Sequence, residues 1–377
     1  MRVLMTGGGT VGHVNPAIAI ADTIKKNIPS SEIAFVGTSR GIENKLVGAA
    51  GYPIYHVEIQ GIRRSLSIKN LRTVYLVLTS PHKAKKLLKS YRPDIVIGTG
   101  GYVCWPLLYA AAKMGIPTAV HESNAVPGVA VKQLSKRVDR VFVNFEETAK
   151  YLDKTDNVIH VGNPLRGDFG TMDRAAARKK LNIPDSCRHL LLSYGGSLGA
   201  ERVNEAVLEL MRDYSSKRPD LLHIHATGAI ERAASLEKFN EMGLCGFENL
   251  RLEEYIYNMP VVMAAADLVI ARAGAMTVSE LSMMKKPCIL IPSPNVTNNH
   301  QYKNAKLLAE DGAAVLIEES ELKDGRLMRE VAALLEDASL RGEMSKRIER
   351  FALPDANKRI LSEILRLVEK KENKDRA

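Results

Sequence analysis

Cysteine is scarce in this chain. Four residues, Cys104, Cys187, Cys245 and Cys288, stand far apart with no CxxC pair. That spacing excludes a disulfide framework or a zinc knuckle and leaves each expected as a small buried thiol in a reducing compartment. Aromatic residues are 5% of the 377, and tryptophan occurs once. With so few stacking rings and no RRM, KH or helix-turn-helix signature, nucleic acid is not expected as a partner. No apolar run reaches the roughly 18 to 20 residues that span a bilayer. The opening MRVLMTGGGT lacks the apolar segment of a secretory signal, so the cytosol is the expected compartment.

Acid is what the first half lacks. Residues 1–163 carry 21 basic and 11 acidic side chains, whereas the remainder carries 32 of each, so the net charge of +10 lies wholly in the first half. That half is expected to face something anionic. Short, nearly continuous apolar runs alternate with helix-period segments throughout. In the first half they are 3–7, 33–37, 54–59, 94–100, 117–122 and 140–144; in the second, 190–196, 221–228, 267–274, 287–293 and 313–318. Helices are expected between them, for example over 15–27, 70–90 and 128–136. Such runs separated by helices predict parallel strands buried on both faces. The fold class is therefore α/β, with two Rossmann-like doubly wound parallel-sheet domains facing across a cleft. The expected boundaries are 1–163, 164–350 and a C-terminal helix with a charged tail over 351–377, joined near the Gly- and Pro-rich VGNPLRGDFGTMDR.

Glycine-rich loops follow the apolar runs. GGGTVGHVNPAIAIA formally matches GxGxxG through Gly7, Gly9 and Gly12, yet no acid ends the second strand, FVGTSR. A dinucleotide site is therefore disfavoured. The loop and helix start remain able to hold an oxyanion or admit a sugar. His13 in this loop reads either as a helix cap or as a base for a hydroxyl. GTGGYVCWP, HESNAVPG and YGGSLGAERVN are three more such loops, the last offering Ser197 to a diphosphate. In ARAGAMTVSEL a helix is expected over 277–284 with Glu280 in its first turn, either as a helix-dipole partner or as an acceptor of ribose hydroxyls. Asn298, Asn299, His300, Gln301 and Asn304 gather the amide and imidazole groups a sugar needs. No two aspartates stand two apart, so the DxD-type clamp for a metal-bound sugar-nucleotide diphosphate is missing. No metal and no cofactor is expected, and Arg166, amides and hydroxyls are left to meet a departing diphosphate.

Together GGGTVGHVNPAIA, GTGGYVCWP, IPTAVHESN, VGNPLR, GGSLGAERVN, YIYNMPVVMAAADLVIARAGAMTVSEL and PNVTNNHQYKNA resemble the MurG family of peptidoglycan N-acetylglucosaminyltransferases over nearly the whole chain. The resemblance implies a GT-B fold and an inverting transferase that moves GlcNAc from UDP-GlcNAc to the undecaprenyl-linked acceptor lipid I, giving lipid II. It implies His13 as the base. Thr10, Val11 and Gly12 would line the donor; Asn124 and Arg166 would contact it; Ser197 would meet the diphosphate, and the backbone of Ile256 the uracil. Ala275, Met276, Thr277, Val278, Ser279 and Glu280 would form the ribose-binding helix start, and Gln301 would contact the GlcNAc hydroxyls. Val11, Ser123 and His300 depart from the family's usual loop residues.

Residues 63–92 hold nine Lys and Arg and no acid, interleaved with Leu66, Ile68, Leu71, Val74, Tyr75 and Leu78. They read as an amphipathic helix packed on a sheet or as a surface that lies on an anionic membrane. The resemblance favours the membrane reading: a peripheral protein on the cytoplasmic side, with UDP-GlcNAc, lipid I, inner-leaflet phospholipid and other cell-wall synthesis proteins as partners. Two alternatives remain at this point: transfer to another lipid such as diacylglycerol, and a non-catalytic paralogue that binds UDP-sugar.

Overall fold

All eleven apolar runs form parallel strands in the computed structural model, which describes residues 1–61, 69–166 and 169–376. The chain divides into two units, Met1–Arg166 with Leu353–Ala377, and Gly167–Ala352.

In the first unit the strands are β1 (Arg2–Thr6), β2 (Glu32–Gly37), β3 (Ile54–His56), β4 (Ile95–Gly98), β5 (Thr118–Glu122), β6 (Arg140–Val143) and β7 (Val158–His160). They lie in the order β3-β2-β1-β4-β5-β6-β7, every pairing parallel. Parallel neighbours need crossovers, supplied here by α1 (Val11–Asn27), α2 (Glu43–Ala49), α3 (Lys69–Tyr91), α4 (Cys104–Lys113) and α5 (Val129–Ser135). Successive strand residues point to opposite faces, so β1 sends Val3 and Met5 one way and Leu4 the other. The first face packs against Ile18 and Ile24 of α1 and against Ile360, Ile364 and Leu367 of the C-terminal helix Ala356–Arg376. The second packs against Leu88, Leu107, Leu108 and Leu134 of α3, α4 and α5. The chain thus returns after the second unit to cover the sheet on which it began.

The second unit runs α6 (Arg174–Lys180), β8 (His189–Tyr194), α7 (Glu201–Asp213), β9 (Leu221–Ala226), α8 (Arg232–Glu241), β10 (Leu250–Glu253), α9 (Met259–Ala265), β11 (Leu268–Ala271), α10 (Ala275–Met283), β12 (Cys288–Leu290), α11 (His300–Glu310) and β13 (Val315–Leu316). Its sheet order is β10-β9-β8-β11-β12-β13, again parallel. Its core joins Leu191, Leu268, Ile270 and Ile289 to Val203, Val207 and Met211 of α7.

The sequence reading missed β7 and β10. Both are edge strands, and polar residues interrupt their short apolar pattern, as in LRLE of β10. Cys104, Cys187 and Cys288 are buried, but Cys245 is exposed and its thiol meets Asn240 Oδ1 at 2.7 Å.

Each sheet reverses its order of growth once, between β1 and β4 in the first unit and between β8 and β11 in the second. Open parallel sheets bind ligands at that reversal, outside the strand carboxyl ends.

Candidate functional site

In the first unit the loops after β1 and β4 meet at the reversal. Thr10 is the N-cap of α1, and its hydroxyl is spent on His13 Nδ1 at 3.0 Å rather than on a helix amide. His13 Nδ1 also lies 3.3 Å from the carbonyl oxygen of Gly8. A carbonyl can only accept, so the tautomer with the proton on Nδ1 is the one that makes hydrogen bonds of both contacts, with Thr10 Oγ1 and Gly8 O as acceptors. The ring rests on the loop after β4: a Cβ on Gly100 would sit 2.8 Å from His13 Cδ2, and one on Gly101 2.3 Å from Gly8 O. Both glycines have positive φ, 97° and 77°, so conformation and space together require glycine there. Thr99 Oγ1 donates to the backbone carbonyl of His13 at 2.6 Å, tying the two loops. Val11 opens the helix. At Gly12 a Cβ would meet only Thr10 Oγ1, 3.8 Å away.

Two buried carboxylates hold these loops, and the sequence reading had not singled out either. Glu43, 1% exposed, accepts from Gly9 N at 3.2 Å, Thr38 N at 2.9 Å and Thr38 Oγ1 at 2.8 Å. Glu122 at the end of β5 accepts from the backbone and side-chain nitrogens of Asn124, each at 3.0 Å, and from Gly128 N at 2.9 Å. Burial pushes the Glu122 carboxyl up, against the pull of those donors. Asn124 is thereby fixed in the loop after β5. His121 before it donates from Nε2 to Gly162 O at 2.9 Å, and burial holds it neutral, down to about 4. Arg166 pairs with Asp22 of α1 at 3.0 Å, and Tyr52 donates to the same carboxylate at 2.8 Å. Tyr102, also missed, lays its ring against Gly9 and Gly61, and burial raises its hydroxyl's pKa. A tyrosine in a Gly-rich loop was the available signal.

In the second unit the same reversal gathers the loops after β8 and β11. Ser197 is exposed in a loop whose backbone docks on the one after β9, through Ala229 N to Ser197 O at 3.2 Å and Ile230 N to Leu198 O at 3.1 Å. Beneath it a buried chain of hydrogen bonds runs through one serine and two histidines. His223 Nε2 meets Ser193 Oγ at 2.9 Å, Ser193 Oγ meets His225 Nδ1 at 2.9 Å, and His225 Nε2 meets Asn204 Oδ1 at 3.1 Å. Asn204 lies in the first turns of α7 and also reaches Thr227 O at 2.9 Å, which fixes the helix start behind Ser197.

Helix α10 begins at Ala275 behind its N-cap Gly274, two residues earlier than the sequence suggested. Glu280 therefore stands in the second turn, not the first, because the glycine takes the extended cap conformation. Ala275, Met276, Thr277, Val278 and Ser279 form the opening turns, with Val278 and Ser279 buried. Glu280 is partly buried, and no hydrogen-bond or ion-pair partner among the described residues reaches its carboxylate. Desolvation pushes its pKa up to about 7. An acid in that condition is open to hydroxyl donors from a ligand.

The polar cluster after β12 is mostly structural. Asn298 and Asn299 adopt left-handed φ of 57° and 51°, which asparagine tolerates. His300 Nδ1 donates to Thr297 O at 2.9 Å, and Asn304 Nδ2 donates to Ala273 O at 3.2 Å. Gln301 Oε1 accepts from Ser293 N at 2.8 Å, leaving its amide nitrogen for other acceptors. The Ile256 side chain is buried between exposed Tyr255 and Tyr257, ahead of the N-cap of α9. Among the described residues no group of three His, Cys, Asp or Glu stands ready to hold a metal ion.

Of the basic stretch, residues 63–68, with Leu66 and Ile68, lie outside the described residues, as do the side chains of Leu71 and Val74. On the rest of α3, Tyr75 and Leu78 are 64% and 75% exposed. On α4, Trp105 stacks on Tyr109 at 4.9 Å, and Lys113 and Arg137 lie over the Tyr109 ring. Among the described residues no helix is long and apolar enough to cross a membrane.

Residues 3–143 match the N-terminal domain of glycosyltransferase family 28, and residues 190–360 its C-terminal domain. The chain is 44% identical over 360 residues to the UDP-N-acetylglucosamine–N-acetylmuramyl-(pentapeptide) pyrophosphoryl-undecaprenol N-acetylglucosamine transferase of Acetivibrio thermocellus, covering 96% of each. To the enzyme of the same name from Desulforamulus reducens it is 38% identical over 371 residues, 98% of each. The crystal structure of Acinetobacter baumannii MurG superposes with a TM-score of 0.75 at 27% identity, over 97% of this chain and 99% of that one.

Proposed function

Because the chain belongs to glycosyltransferase family 28 and, within it, to the pyrophosphoryl-undecaprenol N-acetylglucosamine transferases, we propose that it transfers GlcNAc from UDP-GlcNAc to lipid I. The product is lipid II, the disaccharide-bearing precursor of peptidoglycan. The observation that carries the chemistry is the seating of His13 Nδ1 beside Gly8 O and Thr10 Oγ1, which supports the tautomer with Nε2 as the basic nitrogen. His13 takes the proton of the muramyl C4 hydroxyl as that oxygen attacks the anomeric carbon, inverting it. The departing UDP is met by Ser197 and the amides at the start of α7, and by Arg166 once it exchanges Asp22 for a phosphate oxygen. Glu280 takes the ribose hydroxyls, Gln301 the sugar, and the backbone at Ile256 the base. Thr10, Val11, Gly12 and Asn124 line the approach.

The enzyme works as a peripheral protein on the cytoplasmic leaflet. Supporting this are the acid-free basic stretch, the exposed Tyr75 and Leu78, and the cations beside Trp105 and Tyr109. Radiolabelled UDP-GlcNAc offered with lipid I or with diacylglycerol tests the assignment. Label is expected in the lipid I product alone. Label on diacylglycerol would reassign the acceptor, and binding of the nucleotide sugar without transfer to either would mark a non-catalytic protein.

A further inference from the structure

We propose that Glu43 is a positioning residue that acts on His13 through the Gly8–Gly9 peptide bond, fixing which imidazole nitrogen receives the acceptor proton and strengthening it as a base. The proposal rests on the reading of His13 as that base. The C=O of Gly8 and the N–H of Gly9 are the two ends of one planar, resonance-coupled peptide unit. At one end Gly9 N–H donates to Glu43 Oε2 at 3.2 Å; at the other, Gly8 O accepts from His13 Nδ1 at 3.3 Å. A carboxylate at the N–H end favours the charge-separated resonance form and places more negative charge on the carbonyl oxygen. That oxygen then holds the Nδ1 proton more firmly and stabilises the imidazolium that forms when Nε2 takes a proton. The arrangement is a carboxylate–histidine pair with a peptide inserted between its members.

The surroundings are shaped for it. A Cβ on Gly8, Gly37 or Gly41 would come within 2.8, 2.6 or 2.1 Å of the Glu43 side chain, so three glycines make room for one acid. Gly101 closes over Gly8 O from the loop after β4, with room for no side chain, and keeps water from competing for that oxygen. Thr38 supplies the carboxylate's other two hydrogen bonds. Among the described residues, Tyr102 and Glu58 are titratable groups near the pair. Tyr102, from the loop after β4, is a neutral phenol whose ionisation burial, Glu43 and Glu58 all oppose. Glu58 accepts from Ser39 N at 3.0 Å and has His56 and Arg40 beside it. An acid at the start of α2 that served only that helix's dipole would need no contact with Gly9.

The test is a nitrogen-15 NMR titration of the His13 ring in the full-length protein, paired with kinetics. In the wild type Nδ1 should carry the proton of the neutral ring. In Glu43→Gln the titration midpoint should fall by about 0.5 to 1 pH unit. In the same variant kcat should fall about 10- to 10²-fold, with the KM for UDP-GlcNAc changed less than about twofold. In a His13→Gln background, Glu43→Gln should cost no further kcat. Should Glu43→Gln fail to fold, Thr38→Val carries the test with the opposite sign. It removes one donor from the same carboxylate, leaves more charge for Gly9 and should raise the His13 midpoint. An unchanged midpoint and tautomer in the variants, with His13→Gln inactive, overturns this proposal alone. A His13→Gln enzyme with wild-type turnover overturns the base reading first, and the kinetic half of the proposal with it.

Discussion

Glu280→Gln separates a ligand-binding acid from a structural one more sharply than any other single change in the second unit. The wild-type carboxylate sits partly buried on α10, with no partner among the described residues, and desolvation lifts its pKa from 4.5 to about 7. A rise of that size corresponds to about 3.4 kcal/mol between the neutral and ionised forms, and residual solvent access brings it to about 2 to 3 kcal/mol. The folded-state pKa lies above the unfolded one. The proton-linked stability is therefore fully present below pH 4.5 and is lost as pH rises through about 7. Glutamine has the same shape and no charge. The variant should match the wild type near pH 4.5 and exceed it by about 2 to 3 kcal/mol at pH 8 in urea unfolding, or in hydrogen exchange of the α10 amides. At the same time the KM for UDP-GlcNAc should rise one to two decades, because hydrogen bonds from ribose hydroxyls to a charged acceptor are worth on the order of 1.5 to 3 kcal/mol. A gain in stability with a loss of donor affinity is the signature of a group held unsatisfied for its ligand. A variant less stable at pH 8, or one with unchanged donor affinity, refutes the reasoning.

His13→Ala should lower kcat by roughly 10² to 10⁴ with donor binding little changed; near-normal turnover with a lowered Tm would return His13 to a capping role. Gly100→Ala should destabilise the first unit by about 1 to 3 kcal/mol and depress kcat, since positive φ and a Cβ 2.8 Å from the His13 ring both oppose a side chain; a variant with unaltered kcat would show that the loop yields without moving the imidazole. His121, held neutral by burial with a folded pKa of about 4, contributes stability that is present above about pH 6.5 and lost as pH falls toward 4. The stability margin of the wild type over a non-titrating His121→Gln should accordingly shrink by up to about 3 kcal/mol between pH 7 and 4. Chelators should leave turnover intact; loss in EDTA that added metal restores would contradict the argument from the missing aspartate pair.

The parallel sheets and the Gly-rich loops were legible because both follow from local rules. Doubly buried strands are apolar throughout, and tight strand-to-helix turns demand glycine. Edge strands β7 and β10 were not legible, since one exposed flank admits the charges seen in LRLE. The start of α10 was misplaced because Gly274 caps it without a side chain to announce the cap. The polar run 298–304 gathers five side chains of the kind a sugar needs. Two of its asparagines serve backbone conformation and two other members serve backbone carbonyls, demands that a run of letters cannot separate from ligand binding. Nor could sequence say that the C-terminal helix covers the first sheet, since its apolar face fits any sheet of this kind.

Three glutamates show what decides between scaffold and site. Glu43 and Glu122 are as buried as Glu280 or more so, yet each accepts three hydrogen bonds from the loops around it: Glu43 from Gly9 and Thr38, Glu122 from Asn124 and Gly128. A buried carboxylate so satisfied rigidifies its surroundings, and its removal leaves backbone amides without partners. Glu280 has no such donors among the described residues and carries the cost of desolvation as an ionised group. The fold could lower that cost with one nearby hydroxyl or amide aimed at the acid. Among the described residues none is, although α10 is well packed elsewhere, with Val278 and Leu281 at 1% and 0% exposure. An unsatisfied acid on a rigid helix, at the reversal of a parallel sheet, is the arrangement that ligand hydroxyls complete. The number of internal donors to each buried acid therefore sorts these residues by role. Glu43 and Glu122 hold the loops in place, and Glu280 is the acid we propose for the ligand.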